Sequence, residues 1–145
     1  MKNFNIYLCG GMGKFGKENF DESNNWRVYC VKAFNECITD YAITTVNPNN
    51  FFNFLDEPEY ESHAEVMDFD LFKLRRADLL LVNFNDPQSL GSMSEMAIAY
   101  DRRIPIIGIN ESGYELHPWQ TAMCERIFNT IDKALDYIED FYLTD

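Results

Sequence analysis

Basic side chains are scarce in this chain of 145 residues: 12 Lys and Arg stand against 24 Asp and Glu, giving a net charge of −12. Such a field repels a nucleic-acid polymer unless a local basic patch answers it. Lys14, Lys17, Arg75, Arg76, Arg102 and Arg103 are too scattered along the chain to predict one. Histidine is scarcer still, with only His63 and His117, and the four cysteines (Cys9, Cys30, Cys37, Cys124) sit in apolar surroundings at no metal-ligand spacing. These shortages argue against the common metal patterns and point to reduced thiols, a site without metal or cofactor, and a cytoplasmic location. No apolar run approaches the length of a membrane span and no secretory leader is recognisable, so no membrane association is expected. Repeats and low-complexity tracts are absent too. A single domain over residues 1–145 is expected, large enough to bury a core without cross-links.

What the chain does have is alternation. Apolar runs at 5–9, 42–46, 78–84 and 104–109, with a weaker one at 126–129, are separated by helical periodicities. Trp26, Cys30, Ala33 and Cys37 fall at helical spacing, and further helices are predicted over 62–77, 92–102 and 131–142, the last with Thr130 as its N-cap. Strands alternating with helices predict a doubly wound, Rossmann or flavodoxin-like α/β domain with a five-stranded, mainly parallel sheet. Ligands in such folds bind outside the carboxyl ends of the strands. The loops to search are therefore 10–25, 47–61 and 85–91.

The first of these loops lies in YLCGGMGKFGKE, residues 7–18, which nearly satisfies two phosphate-binding patterns. Gly11, Gly13 and Gly16 spell G-x-G-x-x-G, and Gly11, Gly16 and Lys17 spell most of a P-loop. The P-loop lacks its Ser or Thr after the lysine, where Glu18 stands and would repel phosphate. The dinucleotide turn lacks both an immediate helix, since 17–25 reads as polar and patternless, and an acid at the end of the second strand. The loop is read instead as the rim of a pocket.

Three residues are candidates for chemistry. On the second helix, Met67, Leu71, Leu74 and Ala77 define an expected buried stripe, and Asp70 points into it. A carboxylate hydrogen-bonded to a neighbouring loop is the plainer account of Asp70. In the third helix Ser92 and Glu95 form S-x-x-E, a capping box, in which Glu95 would merely close the helix start. The same position puts a carboxylate at a helix N-terminus in the mouth of the sheet, where the dipole is expected to keep it ionised and nucleophilic. Tyr7, on the first strand, either packs on one sheet face or lifts its hydroxyl to that mouth.

Taken together, Tyr7 with Gly10 and Gly11, Asp70-Leu71 with Leu74, ADLLLVNF (77–84) and SLGSMSEMAIA (89–99) resemble the nucleoside 2-deoxyribosyltransferase family, which includes 2′-deoxynucleoside 5′-monophosphate N-hydrolases. The resemblance runs through the final IDKALDYI helix. It implies that Glu95 attacks the anomeric carbon to form a covalent deoxyribosyl ester, that Tyr7 orients that carboxylate, and that Asp70 helps protonate the departing base. It further implies substrate contacts at Gly10, Gly11, Ser89, Gly91, Ser92 and Thr121.

The acceptor separates two activities. A free nucleobase acceptor makes the enzyme a transferase, and water makes it a hydrolase. Several transferases carry Asp six residues before the nucleophile, where this chain has Ser89. The hydrolases resemble it at SLG, with a phosphate-binding serine, and at TAM (121–123), a hydroxyl-bearing segment that crosses a dimer interface. Against a phosphorylated substrate, the first loop has no arginine, leaving Lys14 or Lys17 as substitutes. The substrate is thus expected to be a nucleoside or nucleoside monophosphate, with transferase placed first and a homodimer or higher homo-oligomer anticipated from Phe69, Phe72 and Arg76. Trp26 and Trp119 are large and flat enough to stack on a base. A non-catalytic nucleotide-binding module of the same fold is the alternative of another class.

Overall fold

Five parallel strands form one sheet in the order β2-β1-β3-β4-β5 in the computed structural model. It describes residues 1–12, 20–50 and 62–144. Gly13, Lys14, Gly16, Lys17 and Glu18 of the glycine-rich segment, and most of the loop 47–61, lie outside the described residues.

The strands are β1 (Lys2–Gly10), β2 (Tyr41–Val46), β3 (Leu79–Asn83), β4 (Ile106–Ile109) and β5 (Arg126–Phe128). β3 and β4 are buried along their whole length, as apolar runs covered on both faces must be. β1 lies between β2 and β3, so its last residues are buried as well. The helices are α1 (Phe20–Glu36), α2 (His63–Leu74), α3 (Leu90–Asp101), α4 (Pro118–Met123) and α5 (Ile131–Tyr142).

Period-two alternation along β1 divides the core. Ile6 and Leu8 pack with Trp26, Cys30 and Phe34 of α1 and with Ala134, Leu135 and Ile138 of α5. Tyr7 and Cys9 point the other way, into a second cluster with Leu74 of α2 and Met96 and Ala99 of α3. Chain stepping explains the division. From β1 the chain moves outward to β2, then steps back across β1 to β3, and right-handed crossovers put α1 on one face and α2 and α3 on the other. The loops part between β1 and β3, which opens the crevice where this strand order binds ligands.

Several expectations need correction. α1 begins at Phe20, within a stretch that reads as patternless, with Asp21 and Glu22 in its first turn where the helix dipole favours acids. α3 begins a turn earlier than predicted: Ser89 is the N-cap, its Oγ accepting from the Ser92 amide at 3.3 Å. Ser92 and Glu95 therefore form no capping box. α2 packs through its C-terminal turn, with Leu74 fully buried, while Met67 is 55% exposed and leaves the predicted stripe. α4 was not anticipated. It starts with a reciprocal cap in which His117 Nδ1 accepts from the Trp119 amide and Gln120 Oε1 accepts from the His117 amide. His117 thus has a structural task.

Candidate active site

Tyr7 reaches the crevice from β1, Asp70 from α2 and Glu95 from α3, and all three belong to the same side of the sheet. Glu95 lies six residues beyond the N-cap of α3, deep enough that the side chain faces β1 rather than the helix start. Cys9, two residues after Tyr7 and on the same strand face, sets its Sγ 3.9 Å from Glu95 Oε1 and 3.7 Å from the Ser92 carbonyl oxygen. Glu95 Oε2, Tyr7 Oη and Ser92 Oγ are all shut off from solvent and have no hydrogen-bond partner among the described residues.

The three ionisable groups sense one another. Burial pushes the Glu95 carboxyl up to about 7, against the Tyr7 hydroxyl, which lowers it, and with the Asp70 charge, which raises it further. Burial likewise raises Asp70 to about 6, with Arg27 pulling the other way. Tyr7 is driven far above the ordinary phenol range, first by burial and then by the charges of Glu95 and Asp70. Tyr7 and Glu95 are thus close enough to couple, although they do not meet at full hydrogen-bonding geometry. The expectation that the helix dipole holds Glu95 ionised is corrected: a turn inside α3 the helix amides are already spent, and desolvation dominates.

The rim is built by close packing. Gly10 ends β1, and a Cβ there would stand 2.9 Å from Trp26 Cζ2 and 3.3 Å from Arg27 Nη2. A Cβ on Gly11 would stand 2.8 Å from Asp86 Cβ. The Gly11 amide donates to Asn85 Oδ1 at 3.0 Å, tying the end of β1 to the loop that leads into α3. Ser89 and Ser92 lie at the start of α3 beside this rim, with no acid in the first turn of the helix. Gly91 is exposed, with nothing within 4 Å of where its side chain would begin. Thr121 is exposed on α4, and among the described residues no hydrogen bond joins it to the Tyr7, Asp70 and Glu95 group.

The tryptophans do not form a sandwich. Trp26 is buried in the α1 and α5 core, while Trp119 is 72% exposed on α4. Phe69 and Phe72 are each covered by a cation, Lys73 Nζ at 5.7 Å and Arg76 Cζ at 3.5 Å from the ring centroids.

Sequence reasoning passed over Arg27, Cys9, Asn85 and Gln120. Arg27 left a signal, since residues 23, 27, 30 and 34 repeat at helical spacing and all four are buried. A charge in such a stripe invites the solvent-facing reading. Gln120 left its signal in the His-Pro-x-Gln spacing of a cap. It is 3% exposed, and its Nε2 donates to the Pro87 carbonyl at 2.7 Å, bracing the loop that carries Ser89. Among the described residues, no cluster of His, Cys, Asp and Glu is arranged to hold a metal ion. No helix there is long and apolar enough to cross a membrane.

No protein-family model and no curated protein sequence matches this chain. Solved structures do. A conserved protein from Enterococcus faecalis superposes with a TM-score of 0.75 at 15% identity, over 94% of this chain and 98% of its own. A 2-deoxyribosyltransferase from Bacillus psychrosaccharolyticus superposes at 0.68 with 18% identity, over 92% and 91%. A CMP N-glycosidase from Clostridium botulinum superposes at 0.55 with 13% identity, over 94% and 99%. The chain shares the fold of these proteins over more than nine-tenths of its length, 92% to 94% in each case.

Proposed function

We propose that this chain, which shares its fold with a 2-deoxyribosyltransferase and a CMP N-glycosidase, cleaves the N-glycosidic bond of 2′-deoxynucleosides and passes the deoxyribosyl group to a second nucleobase. The observation that carries this reading is the convergence of Tyr7, Asp70 and Glu95, from three different elements, on one buried and mutually coupled group at the switch point of the sheet. A structural core has no use for two carboxyls raised toward neutrality beside an unpartnered phenol.

The chemistry assigned to each follows. Ionised Glu95 donates an electron pair to C1′ as the bond to the base nitrogen breaks, and protonated Asp70 gives its proton to the base, which leaves neutral. The oxocarbenium-like transition state carries positive charge on the sugar, which the Glu95 carboxylate opposes. The Tyr7 hydroxyl donates to Glu95 and holds the oxygen that is not attacking. In the second half an acceptor base attacks C1′ from the face that the first base left, Asp70 takes back the proton from the attacking nitrogen, and the ester breaks to return the Glu95 carboxylate with overall retention of configuration.

Water as the acceptor is a second reading, favoured by one observation. Ser89 caps a twelve-residue helix whose first turn has no acid, where the amides and a hydroxyl suit a 5′-phosphate.

The test is chromatography of products from deoxynucleosides and their 5′-monophosphates, with and without excess free base, for wild type and Glu95→Ala. A new nucleoside formed only with acceptor supports transfer. Free base and deoxyribose phosphate from monophosphates alone support hydrolysis. Equal activity in Glu95→Ala removes the nucleophile, and binding without turnover leaves a nucleotide-binding module.

A further inference from the structure

Arg27 is 1% exposed, on α1, on the sheet face opposite Asp70 and Glu95. It reaches the carboxyl end of β1, where Nε donates to the Leu8 carbonyl at 3.3 Å and Nη2 to the Gly10 carbonyl at 2.9 Å. Nη1 donates to the Ser23 carbonyl, one turn back in its own helix. The Trp26 ring lies beside the guanidinium, 4.8 Å from Cζ to centroid. Every hydrogen-bond partner of this buried cation among the described residues is a neutral carbonyl.

Burying a guanidinium among dipoles alone is costly, and an apolar side chain would join α1 to β1 more cheaply. The charge therefore calls for an explanation beyond packing. Leu8 and Gly10 bracket Cys9, whose Sγ contacts Glu95 and the Ser92 carbonyl. Holding both carbonyls fixes the Leu8–Cys9 and Gly10–Gly11 peptide planes, just beyond Tyr7. The field of the same guanidinium lowers both Asp70 and Glu95 against the burial that raises them.

We propose that Arg27 is a positioning residue for the Tyr7, Asp70 and Glu95 group: its fork clamps the carboxyl end of β1, and its charge stands behind the two carboxylates. Around the group, Tyr7 and Cys9 face it from β1, Asp70 from α2 and Glu95 from α3, Asp86 borders Gly11 at the rim, and Arg27, with Cys30 beside it, lies behind β1 on the other face of the sheet. None of these except Arg27 brings positive charge. The effect on turnover rests on the glycosidic-cleavage reading, whereas the effect on titration does not.

The experiment is carboxyl NMR titration of the whole chain labelled at Asp and Glu, in wild type, Arg27→Gln and Arg27→Lys, with Glu95→Gln and Asp70→Asn for assignment. Kinetics on the best deoxynucleoside substrate accompany it. In Arg27→Gln both carboxyls should titrate about one pH unit higher than in wild type, and kcat should fall roughly tenfold to a hundredfold with KM nearly unchanged. Arg27→Lys keeps the charge and loses the fork, so its titrations should stay close to wild type while kcat falls.

A folded Arg27→Gln protein that loses thermal stability but leaves both titrations unmoved would reduce Arg27 to a structural strut and overturn the proposal. If that variant does not fold, Arg27→Lys decides. Titrations displaced by the full pH unit despite the retained charge, or an unchanged kcat, overturn it. A wild type that turns over no nucleoside, with titrations that still respond to Arg27→Gln, fails the catalytic reading alone.

Discussion

Tyr7 and Glu95 are coupled through an incomplete hydrogen bond: the phenol, as a donor, lowers the carboxyl and the carboxylate raises the phenol, yet Tyr7 Oη and Glu95 Oε2 stop short of full hydrogen-bonding geometry and have no other partner among the described residues. A polar atom buried in that state is a stability cost, on the order of 1–3 kcal/mol for each group. Function is the compensation expected for it.

Tyr7→Phe separates these two effects, because it removes the hydroxyl and keeps the fully buried ring. The variant should be as stable as wild type or slightly more so in urea unfolding, while kcat drops roughly a hundredfold as Glu95 loses its orienting donor. Loss of both stability and activity would show that the hydroxyl serves the fold.

Glu95→Gln should behave in the same opposed way, with a pH signature. The Glu95 carboxyl is raised from 4.5 to about 7 in the folded chain. Below pH 4.5 it is protonated in both states and costs nothing. Between 4.5 and 7 the unfolded chain has released the proton and the folded chain still holds it, so stability falls as pH rises. Above 7 the loss is complete, on the order of 3 kcal/mol at ~1.4 kcal/mol per pH unit. Glutamine, a neutral isostere, lacks this slope. Urea titrations should find the variant more stable than wild type at pH 8, with the gap closing toward pH 4, and parallel curves would refute the burial of the charge.

How much of this could be read from the sequence depends on what each residue's neighbours reveal. Leu79–Asn83 and Ile106–Ile109 announce themselves because strands covered on both faces are apolar along nearly their whole length, Asn83 alone being polar. Thr130 is legible as a cap because α5 behind it has a sharply one-sided apolar face, and its Oγ1 accepts from Lys133 as expected. The start of α3 was misread because Ser89 and Ser92 both precede plausible helices, and the Glu95 pattern favoured the wrong one. What decides is the turn closed by the Ser89 amide on the Asp86 carbonyl, invisible in composition. α4, at six residues, is too short to show a period. Asp70 is half-buried on α2 although Met67, one of the residues that define its expected stripe, is exposed. Arg27 was hidden because a charged residue is read as solvated unless the fold gives it carbonyls to hold.

The two raised carboxyls predict the pH dependence of turnover. Attack needs one of them ionised and departure of the base needs one protonated, so the productive state of the pair holds a single proton. With Asp70 at about 6 and Glu95 at about 7, the single proton rests mainly on Glu95, so the productive arrangement, Glu95 ionised and Asp70 protonated, is the minor form of that state; it peaks between the same values, and the apparent limbs belong to the pair rather than to either residue. A plot of kcat/KM should be a narrow bell, falling roughly tenfold per pH unit on each side. Asp70→Asn should keep the acidic limb and lose the alkaline one, at a much lower maximum. A profile flat from pH 5 to 9 would deny both carboxyls their roles.

Gln120 tests whether the loop before α3 is a binding element, because it braces that loop without touching Glu95. Its Nε2 donates to the Pro87 carbonyl, with Met93 Sδ at 2.9 Å, and its Oε1 accepts from the His117 amide. Gln120→Ala leaves a half-buried carbonyl and a cap amide without their partner, a loss of about 1 kcal/mol, and frees Pro87 two residues ahead of Ser89. The chemistry at Glu95 is untouched, so kcat should hold within about twofold while KM rises several-fold. If Ser89 receives a 5′-phosphate, the rise should be larger for monophosphates than for nucleosides. Equal KM increases for both would place the sugar, not the phosphate, against this loop, and a fall in kcat with unchanged KM would mean that α4 acts on the chemistry itself.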